Sequence, residues 1–247
     1  MTRRLSGFLG LGLICLAGLI LGQNVASADT VTMQLQSPPP GVVAYGVYVD
    51  PYYAIVNGVS NTTVICDDFV HDSYANESWT ANVFHYDGTL ASLKSTQMAS
   101  VENTTDPTYS NLLQDYEEVA WLSVQLLSNM DDADRIAISF ALWGVFDPTG
   151  VNAWLVPRGT SLTTLASHWL TDAQTSANLA AGLAALSNIT IYSPNGTPQG
   201  YSGPPQEFLV VSPEASTLAY LALNFFGLLG VVLVFRRRSV WPAGHSK

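Results

Sequence analysis

An α+β fold is predicted for this chain: an antiparallel β sheet or barrel-like set of strands, an inserted helical bundle, and a C-terminal transmembrane helix. Three observations predict it. Short segments with period-two alternation lie before residue 90 and after residue 187, and apolar residues recur at three- and four-residue spacing between them. Near the end, residues 218–235 form a stretch without a charge.

The strands come first. "GVVAYGVYVDPYYAIVNG" alternates small or polar residues with Val, Tyr and Ile, and Asp50-Pro51 and Asn57-Gly58 are turn signals. This predicts strands over 42–49 and 52–56, and a third over 62–69 that carries Cys66. "ESWTANVFHY" (77–86) reads as a fourth, with Trp79 and Val83 on one face. Residues 87–109 hold Gly88, Pro107 and many Ser and Thr, so they are expected to be mostly loop.

The helices follow. "NLLQDYEEVAWLSVQLLSN" (111–129) has helical apolar spacing. "DDADRIAISFALWGVFDP" (131–148) opens on aspartates that favour a helix N-terminus and stops at Asp147-Pro148. A third helical region is expected over 161–186, with Thr171-Asp172 capping its second part. "NITIYS" (188–193) and "EFLVV" (207–211) read as closing strands on either side of a turn-rich connector.

Both ends look like export machinery. Arg3 and Arg4 precede an apolar run over 5–21, and Ala26-Ser27-Ala28 supplies the small residues of a cleavage site after Ala28. At the other end, 18 apolar residues at about 1.5 Å rise would span roughly 27 Å, near the thickness of a bilayer core. Arg236, Arg237 and Arg238 follow at once, as positive charge does on the cytoplasmic side. The expected divisions are a signal peptide over 1–28, one α+β domain over 29–212 and a sorting segment over 213–247.

Charge excludes one class of partner. The chain has 19 acidic and 9 basic residues, and only Lys94, Arg135 and Arg158 of the basic ones fall within 29–212. Such a surface repels phosphate backbones, so nucleic acid is not an expected partner. Removal of 1–28 takes away Cys15 and leaves Cys66 as the sole cysteine.

Pro213-Glu214-Ala215, Ser216-Thr217, a hydrophobic stretch and the arginine cluster together resemble the PEP-CTERM sorting signal of exported bacterial proteins, with Ala215 in place of the usual second proline. That resemblance implies recognition by an exosortase-type membrane protease near Pro213 and Glu214, and release or transfer to the cell surface. It also suggests association with extracellular polysaccharide. A second resemblance rests on "GVYVDPYYAIVNG", "VICDDF", "WTANV", "YEEVAWL" and "AISFALWGVFDP", which look like the thioester domains of bacterial surface adhesins. There a cysteine bonds to a later glutamine two residues before an Ala-[Ile/Leu]-Trp element. Cys66 matches the cysteine and Ala141-Leu142-Trp143 the later element, which places Ser139 at the glutamine position. Serine has no side-chain carbonyl for a thiolate to acylate. Gln97, Gln114 and Gln125 are other amides, and none matches the motif. Cys66 is therefore expected to be a buried, unreactive thiol.

Weaker candidates remain. Asp67, Asp68, His71 and Asp72 could suggest a cation, although a strand would send Asp67 and Asp68 to opposite faces and leave one solvated. "MDDAD" (130–134) lacks the spacing of a calcium loop and reads as a helix cap. Of Trp79, Trp121, Trp143, Trp154 and Trp169, the tryptophans available for a carbohydrate platform, Trp121 and Trp143 are expected in the core. No nucleophile elbow, zinc-protease motif or histidine triad is present. No metal or cofactor is called for. The expected function is that of an exported, non-enzymatic surface or matrix protein, with a covalent adhesin acting through Cys66 and a secreted hydrolase as alternatives.

Overall fold

The computed structural model describes residues 29–36, 43–49, 51–105, 109–128 and 131–212. Six strands close a barrel: β1 (Thr30–Leu35), β4 (Tyr52–Val56), β5 (Val59–Cys66), β8 (Phe208–Val211), β7 (Ile189–Pro194) and β6 (Ser78–His85), which returns to β1. Every pair is antiparallel. β2 (Val43–Ala44) and β3 (Val47–Tyr48) form a separate two-stranded hairpin. Between β6 and β7 the chain inserts α1 (Gln97–Thr105), α2 (Leu112–Ser128), α3 (Asp132–Phe146), α4 (Pro148–Leu155), α5 (Thr160–Ala173) and α6 (Ser176–Leu186).

Period-two alternation sorts the strand residues into two cores. Met33, Ala54, Val64, Cys66, Trp79, Ala81 and Phe208 fill the barrel with Phe140 and Trp143 of α3. Ile65, Ile189, Ile191 and Leu209 point the other way and pack with α2, α3 and α6. Helix α3 touches both cores. Its sequence is apolar nearly all round for that reason, and residues 137–144 are all buried.

The expected β-rich ends and helical middle are present, with local differences. The strand expected over 42–49 is instead the tight β2–β3 hairpin, because Tyr45 and Gly46 both take positive φ (55° and 88°). Asn57 and Gly58 (48° and 81°) make the matching turn between β4 and β5. The third strand starts earlier than expected and ends at Cys66. β1, where no strand was expected, lies in the Thr-containing stretch just after Asp29. The expected loop over 87–109 contains a 3-10 turn (Leu90–Ser92) and α1. Pro148 does end α3, and it also occupies the first turn of α4, whose N-cap is Asp147 accepting from Gly150 N at 2.8 Å. Thr175, rather than Thr171-Asp172, caps α6.

The membrane-spanning part of the expected fold class is corrected. Among the described residues no helix is long and apolar enough to cross a membrane. The longest, α2, has 17 residues and carries Asp115, Glu117 and Glu118. The signal peptide over 1–28, and the segment 213–247 with its 218–235 stretch and Arg236–Arg238, lie outside the described residues.

Helices α2 and α6 approach closely at Gly182, where an added Cβ would collide with the Glu117 carbonyl. Neither backbone can yield without separating the helices. Gly182→Ala is expected to cost about 1–3 kcal/mol, read as a lower urea midpoint.

Candidate functional site

The site is assembled where β5 stops. Beyond Cys66 the chain leaves the sheet, so alternation no longer applies, and Asp67 and Asp68 are both fully buried. The expectation that one of them is solvated is therefore corrected.

Asp68 is the hub. Its Oδ1 accepts from Val70 N (2.9 Å) and His71 N (3.1 Å), which fixes the turn after the strand. Its Oδ2 accepts from Gln97 Nε2 (2.6 Å) and Glu207 N (3.3 Å), and lies 2.8 Å from His71 Nδ1. The Asp68 carbonyl accepts from Gln206 Nε2 at 2.7 Å and from the Cys66 thiol at 3.2 Å. One residue thus ties together β5, the start of α1 and the entry to β8.

A second carboxylate stands behind the first. Glu207 is fully buried; its Oε1 accepts from Tyr116 Oη (2.7 Å) and its Oε2 from Gln97 N (2.7 Å). Ser193 Oγ accepts from the same Gln97 N at 2.7 Å. Burial pushes the Glu207 carboxyl up to about 7, against the pull of hydrogen bonds from Tyr116, Ser193 and Gln97. The hydrogen bond to Asp68 holds His71 above its ordinary value, although partial burial works the other way.

These shifts have one sign in stability. A group whose pKa is raised by folding contributes fully below its unfolded pKa and loses that contribution as pH passes the folded value. Glu207 therefore stabilises below about pH 4 and loses its contribution as pH rises through about 7. His71 loses its own share above about pH 6.5, as its raised pKa is passed. The chain is expected to be less stable at pH 8 than at pH 5, by on the order of 3 kcal/mol from Glu207. Urea unfolding at the two pH values checks this, and Glu207→Gln should flatten the difference. A chain more stable at pH 8 would contradict it.

Cys66 is itself fully buried at the end of β5. Trp143 Nε1 donates to its carbonyl at 3.1 Å, joining α3 to the strand. Ser139 lies one turn before Trp143 and is also buried, but its Oγ bonds back to the Arg135 carbonyl at 2.9 Å. The structure thus brings the Ala141-Leu142-Trp143 element to the cysteine's backbone. Of the amides considered, Gln97 enters the Asp68 hub, and Gln114 bonds to Glu118 (2.9 Å). Gln206, which the sequence reading passed over, shares the Asp68 carbonyl with the thiol.

The remaining candidates resolve simply. Asp131 caps α3 by accepting from Ala133 N and Asp134 N, and Asp132 lies 3.4 Å from Arg135. Among the described residues no group of three or more His, Cys, Asp or Glu could hold a metal ion. Trp143 is core, as expected; Trp121 is only half-buried and packs on Trp169.

Beside the hub lies a cleft of about 400 Å³. Its lining includes Phe69, His71, Asp72, Tyr74, Trp143 and Trp154, with Tyr48 of the hairpin opposite. Phe69 stacks on Trp143 (centroids 5.3 Å, 28°) and stands nearly perpendicular to Trp154 (6.1 Å, 77°). No local sequence pattern announces this cleft, since its walls come from stretches as far apart as Leu35 and Gln206. No family model matches the chain, and no curated protein matches it either.

Proposed function

We propose that this is an exported, non-enzymatic bacterial protein displayed at the cell surface or in the extracellular matrix. On this reading it is released by a signal peptidase after Ala28 and sorted through Pro213, Glu214 and Ala215 by an exosortase-type protease. The observation that carries the non-catalytic part is the state of Asp68. Its two carboxylate oxygens are filled by backbone and side-chain donors from three segments, which makes the acid-rich stretch after Cys66 a structural joint. The export part is supported by the two chain ends and by the scarcity of basic residues between them.

One observation favours the hydrolase alternative: His71 lines the cleft with its Nδ1 held by a buried carboxylate. A dyad of that kind orients a ring for proton transfer. It needs a nucleophile or a second carboxylate in reach, and the acid behind it, Glu207, is sealed in the core. The structural reading accounts for more of the contacts.

The test is processing in a bacterial host that carries an exosortase. The mature chain should begin at Asp29, and Glu214→Ala should leave its C-terminal segment uncleaved. A chain that keeps residues 1–28 and stays in the cytoplasm would overturn the reading.

A further inference from the structure

We propose that the cleft between the β2–β3 hairpin and the 69–75 loop binds a quaternary ammonium group, with aromatic rings as walls and Asp72 as counter-charge. This goes beyond export and surface display, and it stands on the cleft alone.

The walls come first. Phe69 and Trp154 meet nearly at right angles with centroids 6.1 Å apart, so a cation lodged in their corner lies within about 6 Å of both ring centres. Tyr48 and Tyr74 stand on opposite lips and are 51% and 55% exposed. Tyr74 stacks on Tyr201 (centroids 5.9 Å, 22°), and the exposed rings of the two lips offer contact area. Tyr52 donates from Oη to the Tyr48 carbonyl at 2.6 Å, which holds the hairpin lip in place.

Charge selects among occupants. The cleft's lining contains no Lys or Arg, and its histidine, His71, already has Nδ1 engaged by Asp68, so it offers a phosphate, sulfate or carboxylate no lysine or arginine donor. Asp72 is exposed and forms no ion pair with a Lys or Arg among the described residues. Arg158, which is not part of the lining, stacks its guanidinium 3.8 Å from the Trp154 ring centre, a like charge that an ammonium in the cleft has to tolerate.

Two further features narrow the class. A primary ammonium carries three N–H donors that each need an acceptor, whereas a quaternary one has none and suits walls made of rings. An extended peptide would seek a sheet edge; the barrel closes on itself, and the open edges of the β2–β3 hairpin are only two residues long. A cleft of about 400 Å³ holds a small head group. Such a group could belong to a soluble compound or to a choline lipid.

The experiment is calorimetric titration of the purified full-length chain with choline and with 3,3-dimethylbutan-1-ol, which has the same shape without the charge. Choline is expected to bind at least about tenfold more tightly than the alcohol. Tyr48→Ala and Asp72→Asn should each weaken choline by about fivefold or more, while Val59→Ala, at the exposed start of β5, leaves it unchanged. Co-sedimentation with phosphatidylcholine vesicles but not phosphatidylglycerol vesicles, lost in Tyr48→Ala, would assign the lipid head group. Choline binding without sedimentation would assign a soluble ammonium compound. Equal binding of choline and the alcohol, no binding of either, or choline binding indifferent to both cleft variants would overturn the proposal.

Discussion

Replacing Asp68 by alanine is expected to destabilise the chain by about 3–5 kcal/mol, which is enough to unfold a marginal domain. The side chain is fully buried, and the donors that converge on it are part-buried. Without the carboxylate, Val70 N, His71 N and Gln97 Nε2 lose an acceptor at once. Each donor left without an acceptor and out of reach of water costs about 1–3 kcal/mol. Asp68→Asn should be milder: it keeps an oxygen for the two backbone donors and meets Gln97 with an amide nitrogen. The measurement is the urea midpoint of each variant at pH 6. A loss below about 1 kcal/mol in Asp68→Ala would show that the hub is decoration rather than a joint.

Trp143→Ala comes next in size. Trp143 is 2% exposed, packs against Phe69 and Phe140, and links α3 to β5 through the Cys66 carbonyl. Truncating a buried tryptophan costs about 3–5 kcal/mol, because the cavity closes only in part. Trp143→Phe separates the two contributions. It retains most of the ring contact and forfeits the hydrogen bond, for an expected loss of about 1–2 kcal/mol. If the two variants unfolded at the same urea concentration, the hydrogen bond rather than the packing would carry the joint.

The elements legible in the sequence were those whose pattern is local. Asn57-Gly58 between alternating strands fixed a hairpin, and the aspartates before Ile136 marked the start of α3. The apolar run through Trp143 showed that this helix would be buried on every side. β1 escaped because its six residues mix threonines with Val31, Met33 and Leu35, and it gains its place only by pairing with β4 and β6, far along the chain. The same physics hid the polar hub. Asp68, Gln97, Ser193 and Glu207 are separated by up to 139 positions, and their attraction is the need of buried groups for partners. No spacing rule can show that. Gln97 was further masked by a stretch rich in Ser and Thr that looked like loop, and Asp67 by a strand that ended three residues sooner than its sequence suggested.

The central proposal is that the chain is exported and keeps Cys66 as a structural thiol, with Ser139 at the position where the thioester resemblance would put a glutamine. It is tested most directly by the intact mass of the chain recovered from the cell envelope, taken before and after alkylation in denaturant. The account predicts a chain beginning at Asp29, with no ammonia lost and one alkyl group added. A mass short by one ammonia on a chain that resists alkylation would contradict it. Cys66 would then be bonded to an amide, with Gln206 the first to examine, and the protein would be a covalent adhesin.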